Sequence, residues 1–431
     1  MALSLSRRLL AQTARRTVQA RRITPSVQAP AAAGVRWQST QPVTRDSMTG
    51  EFTSKPDIDA SRLELVKNTS PKSPPSPQSL VFGHTFTDHM LAIEWTLADG
   101  WGVPKIMPYG PFSIQPSSTV LHYCQSVFEG LKAYRDENGK VTLFRPDMNM
   151  KRMVRSAGRV ALPAFDGAEL LKLIKKLVAL DAHWIPQVPG YSLYIRPTLV
   201  GNMHALGVGP PNKALLFVIC SPVGPYYKNG FKPVKLLATT NYVRAVPGGT
   251  GSYKLGANYA PCLIPQAEAM AQGYDQNLWL LGPEHHLTEV GTMNLFVVLQ
   301  RDDGSVELVT PPLEDVVLPG VTRDSVLALA RDHAAGKLKL NLPSNLVVSE
   351  RPITMKEVKA AADSGKLLEV FGSGTAAIVC PVKAIGYLGE DIPIPVGEQG
   401  MGPITKTVLD EIVKRQLGVV ESDWSVTVTE K

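Results

Sequence analysis

Five β-rich runs limit most strongly how this chain can fold. They are rich in Val, Leu, Ile and aromatic residues and are bounded by Gly, Pro or Asn, as strands usually are. The runs are residues 191–200, 214–220, 234–240, 277–282 and 294–300. Stretches with helical periodicity lie before and after them, at residues 167–181, 322–334 and 404–416. The sequence therefore predicts a mixed α and β (α+β) fold.

The helix predicted at residues 167–181 has a clear pattern. Its apolar side chains share one face, which we expect to lie against a core: Leu170, Leu173, Ile174, Leu177 and Val178. Asp166 is placed to accept hydrogen bonds from the first turn of this helix, and Thr322 takes the same position for the helix at 322–334. Both residues are predicted N-caps.

The chain length of 431 residues favours two domains. Residues 221–230 concentrate Pro, Gly and Asn between two β-rich runs, so we place the boundary there. Residues 46–78 are polar and Pro-rich, which is typical of a linker rather than part of a core. A ligand is expected in the cleft between the domains. The predicted parts are a transit peptide (1–41), a linker (42–78), a small α/β domain (79–221), an interdomain linker (222–230) and a large domain (231–431).

The formal charge of +7 is concentrated at the N-terminus. Residues 1–45 contain eight Arg and neither Lys nor an acidic residue, and the rest of the chain has 37 basic against 38 acidic residues. A nearly neutral body offers no electrostatic footprint for nucleic acid. An Arg- and Ser-rich segment without acidic residues favours a mitochondrial transit peptide over a plain basic tail. We therefore expect a protein of the mitochondrial matrix, processed near residues 38–42.

The spacing of the Cys and His residues and the lengths of the apolar runs argue against a metal site and against a membrane-spanning helix. The four Cys have no motif spacing and the eight His are dispersed, so no metal site is predicted. No apolar run approaches the length of a membrane-spanning helix, since residues 214–220 number only seven. We expect neither a membrane nor a nucleic acid as a partner.

The most unusual segment is GGTGSYKLGANY, residues 248–259. Its glycines allow a planar ligand to approach the backbone closely. A phosphate-binding P-loop is excluded, because Tyr253 stands where that motif needs Gly and Leu255 where it needs Ser or Thr. What remains is Lys254 among aromatic and apolar neighbours, where desolvation can supply the neutral amine that a Schiff base requires. From this segment alone, a cofactor-bearing lysine and an exposed loop lysine are equally good interpretations.

Three further segments fit a phosphate group. Residues 320–322 lie at a predicted helix N-terminus, whose free N–H groups and dipole favour an anion. Residues 372–375 form a turn able to direct backbone amides and a hydroxyl at one point. Arg152 and Arg155 offer the counter-charge. Each segment alone has a plain structural interpretation, but together, beside Lys254, they favour a phosphate site.

Glu289 stands alone in a segment poor in charge, between two predicted strands. It is either an exposed turn residue or a carboxylate that pairs with the protonated pyridine nitrogen of pyridoxal 5'-phosphate (PLP). Such a pair keeps the PLP ring an electron sink.

These segments resemble those of the branched-chain amino acid aminotransferases, PLP enzymes of fold type IV. The resemblance covers nearly all of residues 79–428 and is closest to the eukaryotic mitochondrial and cytosolic enzymes. It rests on ten segments in the same order: LVFGHTFTDHM, LHYCQSVFEGLKAYR, FRPDMNMKRM, LYIRPTLVG, SPVGPYY, GGTGSYKLGANY, TEVGTMNLF, LPGVTRDSVL, FGSGTAAIVCPV and ESDW. It implies two domains, of which residues 231–431 bind PLP, with the active site in the interdomain cleft.

The resemblance implies roles at the cofactor. Lys254 would hold PLP through a Schiff base and carry a proton between the substrate Cα and the cofactor. Tyr259 would hydrogen-bond the phenolic oxygen of PLP, and Glu289 would take the pyridine nitrogen. The other implied cofactor-binding residues, most of them at the phosphate and Thr292 at the ring side, are Arg152, Thr292, Val321, Thr322, Gly374 and Thr375.

The resemblance also implies a substrate pocket. The turn at residues 374–376 would offer amides to the α-carboxylate, and Tyr123 with Arg196 would accept the distal carboxylate of glutamate. Aromatic rings with one guanidinium can take both a branched apolar chain and a carboxylate. The implied substrate-binding residues are Phe82, Tyr123, Phe128, Tyr194, Arg196, Thr375 and Ala376.

The implied reaction is a ping-pong transfer of the amino group of L-leucine, L-isoleucine or L-valine to 2-oxoglutarate. The implied functional unit is a homodimer in which the partner's residues around Phe82 and Tyr123 reach the pocket. Mammalian members carry Cys-x-x-Cys after the Gly-Thr-Ala turn, whereas this chain has Ala377 and then Cys380. We therefore expect no intramolecular disulfide switch there.

Two alternatives share the fold and Lys254: D-amino acid aminotransferase and aminodeoxychorismate lyase. The LYIRPT and VFEGLKAYR segments favour the branched-chain enzymes over both. An alternative from another class is a nucleotide-binding protein that uses the Gly-rich loops. A nucleotide-binding protein of this kind would have no role for Glu289 and would not require Lys254.

Overall fold

The structure is a computed structural model that describes residues 55–225 and 232–428, together with the backbone of β1 (Val43–Arg45) and β2 (Phe52–Ser54), which pair with each other. The predicted transit peptide, residues 1–41, lies outside the described residues, as do residues 226–230 of the predicted interdomain linker. Within the described ranges, no helix has the length and apolar character to cross a membrane, and no cluster of side chains suits a metal ion.

The helices of the described residues flank two large sheets. They are α1 (Thr119–Tyr123), α2 (Pro146–Arg159), α3 (Gly167–Leu180), α4 (Leu263–Ala271), α5 (Val321–Ala334), α6 (Met355–Asp363) and α7 (Pro403–Gln416). The first sheet contains β3 (Glu64–Leu65), β4 (His89–Thr96), β5 (Gly100–Trp101), β6 (Lys105–Pro108), β7 (Ser126–Phe128), β8 (Leu131–Arg135), β9 (Val141–Phe144), β10 (Ser192–Gly201), β11 (Lys213–Val223) and β21 (Ser425–Val428). The second contains β12 (Val234–Thr239), β13 (Gln276–Leu281), β14 (His286–Val290), β15 (Met293–Gln300), β16 (Val306–Thr310), β17 (Leu346–Glu350), β18 (Leu367–Gly374), β19 (Ile378–Tyr387) and β20 (Glu390–Pro393). The predicted mixed α and β fold is confirmed.

The first sheet is almost entirely antiparallel and follows the order β21-β9-β8-β10-β11-β4-β6-β3. Its core contains the buried face of α3, so the predicted stripe of Leu170, Leu173, Ile174, Leu177 and Val178 is confirmed. Asp166 caps that helix by accepting from two N–H groups of the first turn, as predicted.

The segment expected to be a linker before residue 79 contributes to this first core. Ile58 and Ala60 are buried in it, and β3 pairs with β6. The expectation that residues 46–78 lie outside a core is therefore wrong for these positions, because Ile58 and Ala60, with the partly buried Leu63, dock this largely polar segment. The predicted domain boundaries remain a prediction.

The second sheet follows the order β14-β13-β12-β19-β18-β15-β16-β17, and an additional pairing of β14 with β15 closes six of its strands into a ring. Helices α5 and α7 pack on it around a core of their own. Helix α5 begins at Val321, and its N-cap is Gly320. The prediction that Thr322 caps this helix is wrong, since Thr322 already lies in the first turn.

Candidate active site

Lys254 lies in the loop between β12 and α4, and two hydrogen bonds fix its backbone. Its N–H donates to the Ser156 hydroxyl of α2 at 2.9 Å, and its carbonyl accepts from the N–H of Phe128 at 3.2 Å. The side-chain amine donates to the Tyr259 hydroxyl at 3.0 Å. The first sheet and α2 therefore set where the Lys254 amine can reach, and they place it beside a phenol.

Gly256 and Arg155 also fix the position of the loop that carries Lys254. A Cβ on Gly256 would lie 2.4 Å from the Ser126 hydroxyl oxygen, so a larger residue would have to displace the Ser126 hydroxyl of the first sheet. Arg155 of α2 donates to the Ser252 carbonyl and hydroxyl at 3.2 and 3.0 Å, and its guanidinium lies 4.4 Å from the ring centroid of Tyr253. Arg155, a candidate counter-charge in the sequence, thus contacts the loop that carries Lys254.

An aromatic wall stands beside the Lys254 amine. Nζ lies 4.8 Å from the ring centroid of Phe128, whose ring is 5.0 Å from that of Tyr259. The guanidinium of Arg196 lies 4.8 Å from the same Phe128 centroid. Predicted cofactor and substrate residues are therefore continuous with each other through Phe128.

Arg196 connects this wall to the rest of the predicted pocket. Its Nη2 donates to the Tyr194 hydroxyl at 3.2 Å, and the Tyr194 ring meets that of Phe82 edge-on at 4.9 Å. The buried Nε of Arg196 has no hydrogen-bond partner among the described residues. A buried guanidinium N–H without a partner fits a site that receives a polar ligand.

Tyr123 is not brought into this group. It is 41% exposed, and its hydroxyl donates to the Leu206 carbonyl. In residues 55–225 and 232–428, none of its hydrogen bonds or ring contacts reaches Arg196. Phe82, by contrast, contacts Tyr194 of its own chain, although the resemblance assigns the residues around it to the partner's contribution.

Glu289 ends up buried, so its interpretation as an exposed turn residue is wrong. It lies on β14 opposite Asn294 of β15, across a two-residue turn in which Gly291 has a φ of +53°. Its Oε1 accepts from the Leu318 N–H at 2.8 Å, and its Oε2 lies 2.6 Å from Nη2 of Arg244. Burial raises the pKa of the Glu289 carboxyl, and Arg244 is the strongest of the charges that oppose this rise. Thr292, predicted beside the cofactor ring, is exposed in the same turn.

The N-terminus of α5 lies next to Glu289 and Arg152. A Cβ on Gly320 would be 2.0 Å from Oδ1 of Asn294, so a side chain at this position would have to displace the Asn294 amide. Val321 and Thr322 are buried there, and the first-turn N–H groups lack helical partners. This arrangement suits an anion.

Arg152 reaches the same place from α2. Its Nε and Nη2 donate to the two oxygens of Glu129 at 2.7 Å each, and its Nη1 donates to the Pro319 carbonyl at 2.9 Å. Within the described part of the chain, these bonds leave two of the five guanidinium N–H groups for another acceptor. Arg152 is thus oriented by a buried carboxylate toward the start of α5.

The turn that joins β18 to β19 is residues 375–377, and it is tied to the first sheet. The prediction that residues 372–375 form a turn is wrong for 372–374, which belong to β18. The Lys132 amine of β8 donates to the Ala376 carbonyl at 2.8 Å. Lys132 is buried, and burial lowers the pKa of its ammonium to about 8. Lys132 also lies opposite Tyr194 of the neighbouring strand β10, so the turn that begins at Thr375 is anchored at the wall of the pocket.

Sequence reasoning missed several residues of this site: Arg244, Glu129, Lys132 and Asn294. Glu129 and Lys132 lie in the matched segment VFEGLKAYR and could have been suspected as charged residues inside a β-rich run. Arg244 lies in a segment of mixed polarity with no pattern that predicts burial. Asn294 was predicted only as the first residue of a strand, and its place opposite Glu289 follows from the pairing of β14 with β15.

Taken together, the polar groups of this site are complementary to those of PLP. A clamped lysine amine, a phenol, a buried carboxylate and a helix N-terminus with an oriented arginine lie around one place. These groups match an aldehyde, a phenolic oxygen, a pyridine nitrogen and a phosphate, respectively.

Comparison with known proteins agrees with this donor set. The sequence matches the family described as amino-transferase class IV over residues 126–385. It is 54% identical over 377 residues to the mitochondrial branched-chain-amino-acid aminotransferase of Saccharomyces cerevisiae, covering 86% of this chain and 94% of that one. It is 53% identical over 378 residues to the cytosolic enzyme of the same yeast, covering 86% of this chain and 98% of that one. A solved T.th. branched-chain amino acid aminotransferase with pyridoxamine 5'-phosphate has a TM-score of 0.60 at 28% identity, covering 78% of this chain and 98% of that one. The chain therefore belongs to the branched-chain amino acid aminotransferases of class IV.

Proposed function

We propose that this protein transfers the amino group of L-leucine, L-isoleucine or L-valine to 2-oxoglutarate, reversibly and by a ping-pong mechanism, with PLP as cofactor. The observation that carries the proposal is the Lys254 amine 3.0 Å from the Tyr259 hydroxyl, in a site that also holds the buried Glu289. When bound, PLP supplies the ring that takes up the electron pair left on the substrate Cα. The residues of the chain supply binding, orientation and proton transfer.

Lys254 holds the cofactor and then carries the proton between the substrate Cα and the C4′ position. The clamp on its backbone keeps the amine on one side of the site, so the proton is delivered to one face. Tyr259 donates to the phenolic oxygen, and Glu289 holds the protonated pyridine nitrogen. Thr292 steadies the ring side from the turn after β14.

The phosphate is held at the start of α5 and the substrate carboxylate at the turn after β18. Arg152 contributes its two remaining N–H groups, and the N–H groups of Val321 and Thr322 contribute the helix N-terminus. Thr375 adds a hydroxyl for the phosphate. The amides of residues 374–376 receive the α-carboxylate.

The side-chain pocket takes both substrate types because its walls are aromatic and the Arg196 guanidinium is only partly engaged. Phe82, Phe128 and Tyr194 supply apolar area for a branched chain. Arg196, whose Nε has no partner among the described residues, accepts the distal carboxylate of glutamate or 2-oxoglutarate. Ala376 leaves room at the turn.

We further propose a homodimer of the mitochondrial matrix. Tyr123 is exposed at the end of α1, which would allow it to reach the pocket of a partner and help bind the distal carboxylate. The Arg-rich residues 1–41 act as the transit peptide. With a two-domain division at residues 222–230, Lys254, Glu289 and the start of α5 belong to the second domain, and Arg152 reaches the phosphate from the first.

A substrate panel on the purified protein tests the proposed function. The protein should be yellow, and borohydride should fix the cofactor on Lys254. L-Leucine, L-isoleucine and L-valine should each give glutamate from 2-oxoglutarate, and D-alanine should not. Lys254→Ala should abolish turnover, while Lys140→Ala, at an exposed lysine, should not. A colourless protein, or full activity in Lys254→Ala, would end the PLP proposal, and a preference for D-alanine would overturn the substrate assignment.

A further inference from the structure

Glu289 has a buried counter-ion that the proposed reaction leaves without a role. Arg244 follows β12 in the loop that leads to Lys254, its side chain is 9% exposed, and its Nη2 lies 2.6 Å from Glu289 Oε2. The same guanidinium donates to the carbonyls of Val316 and Gly251 at 3.4 and 3.3 Å. Arg244 therefore joins the lysine loop, the segment before α5 and the carboxylate of Glu289.

The other groups around Glu289 do not replace this charge. Its Oε1 accepts from two neutral donors, the Leu318 N–H at 2.8 Å and the Asn294 amide at 3.4 Å. Lys254 and Arg152 act on the Glu289 carboxyl more weakly than Arg244 does. Arg244 is thus the cation in direct contact with this carboxylate within the described ranges.

The geometry also leaves the carboxylate open to one more partner. An ionised carboxylate has about four acceptor sites, and the three contacts from Leu318, Asn294 and Arg244 leave about one unused. A buried carboxyl without a cation would take up a proton, because burial disfavours its charged form. The charge of Arg244 opposes this effect of burial on the Glu289 carboxyl.

We propose that Arg244 is a positioning residue of the transamination: it keeps Glu289 ionised and fixes Oε2, so that the remaining acceptor site of Glu289 meets a protonated pyridine nitrogen. This inference rests on the proposed contact between Glu289 and that nitrogen. Loss of Arg244 leaves the proton on Glu289 and the ring nitrogen unprotonated, which weakens the electron sink. Turnover falls, whereas substrate binding, which depends on the pocket around Tyr194, is retained.

The test is the protonation state of the cofactor nitrogen in the holoenzyme. Enzyme variants loaded with PLP labelled with ¹⁵N in the pyridine ring are compared by NMR at neutral pH. Wild type should give a pyridinium signal, Arg244→Met and Arg244→Gln a pyridine signal, and Arg244→Lys a pyridinium signal. For Arg244→Met we expect kcat to fall about 100-fold with KM changed less than about threefold. Arg244→Gln keeps hydrogen-bond donors for Val316 and Gly251, so it reports on charge even if Arg244→Met fails to fold.

A double-mutant comparison separates this role from a structural one. If Arg244 acts through Glu289, Arg244→Gln should lower kcat less than about twofold in a Glu289→Gln background. An equal loss in both backgrounds would mean that Arg244 merely holds the two loops together, and it would overturn the proposal. A pyridinium signal in Arg244→Gln would overturn it as well. A wild-type protein that binds no PLP would instead refute the proposed function, and a pyridinium signal in Glu289→Gln would refute the role of Glu289.

Discussion

Two buried arginine–glutamate pairs lie in this site, and they are built differently. Glu129 is met by Arg152 at both oxygens, with both contacts at 2.7 Å, and also accepts from the Asn149 amide at 2.8 Å. Glu289 is met by Arg244 at one oxygen only. In the first pair, which we call the closed pair, both carboxylate oxygens of Glu129 are occupied by donors. In the second, the open pair, the Glu289 carboxylate keeps a free acceptor site.

The difference assigns opposite roles to the same two residue types. In the first pair the carboxylate is saturated, so it orients Arg152, and the arginine keeps the free donors that an anion needs. In the second pair the arginine supports the carboxylate, which remains the group that faces a ligand. Geometry, and not residue type, therefore indicates which partner functions and which supports it.

The largest effect on turnover is expected from substitution of Glu289. Glu289→Gln removes the anion that stabilises a protonated ring nitrogen, so kcat should fall about 100- to 1000-fold. Glutamate formation from L-leucine and 2-oxoglutarate measures it. Glu284→Gln, in the exposed turn between β13 and β14, is the matched control. Wild-type turnover in Glu289→Gln would show that the Glu289 carboxylate has no role in the reaction.

Breaking the closed pair should affect stability first. Glu129→Gln leaves the buried Arg152 charge without its counter-ion, which should cost about 3 kcal/mol of the free energy of unfolding. Urea denaturation of the holoenzyme checks this against Glu137→Gln, which alters an exposed glutamate. A turnover loss in Glu129→Gln as large as that in Glu289→Gln would show that the two pairs do not differ in role.

Arg152→Met should act on cofactor affinity. It removes two charge-assisted donors from the phosphate, so the Kd for PLP should rise about 100-fold. Fluorescence titration of the apo protein measures this. Lys151→Met, on the same helix and with its side chain 74% exposed, should leave the Kd unchanged. An unchanged Kd in Arg152→Met would place the phosphate elsewhere.

Lys132 extends the comparison because it is a buried cation that donates to a carbonyl, that of Ala376, rather than to a carboxylate. Burial lowers the pKa of Lys132 from 10.5 to about 8, so between these values the unfolded chain binds more protons than the folded chain, and stability rises with pH. At pH values below about 8, the fold is destabilised by the full free-energy cost of burying the Lys132 charge. Lys132→Met should therefore stabilise the fold at neutral pH by about 2 kcal/mol, after the loss of one hydrogen bond is subtracted.

The gain in Lys132→Met should shrink as the pH is raised through this window. Urea midpoints of both proteins at neutral and at alkaline pH measure it, with the exposed Lys140→Met as control. A gain that does not depend on pH would show that Lys132 carries no charge penalty in the fold.

Much of the fold and part of the site follow from the sequence. Periodicity predicted the buried stripe of α3, and an acidic residue in the right place predicted its cap at Asp166. The loop around Lys254 could be singled out because glycine density and one lysine form a local pattern. The failure at Thr322 has a local cause too, since α5 already begins at Val321, after Gly320, and no side chain caps its first turn.

The supporting charges could not be predicted, because their roles come from contacts between distant segments. Arg244 and Glu289 are brought together by strands of the second sheet, and Lys132 meets Ala376 across two sheets. A single sequence carries no periodicity for such pairs. The docking of Ile58 likewise depends on a core that forms elsewhere in the chain.

The last strand has a consequence for how the protein is made. Ser425 of β21 pairs with Phe144 of β9, so the edge of the first sheet is built from segments that are far apart in sequence. This contact closes a loop of very large sequence separation, which slows formation of the sheet. Until β21 has been synthesised, β9 lacks its partner on that side, and chaperones would meet an unpaired edge next to the helix that carries Arg152.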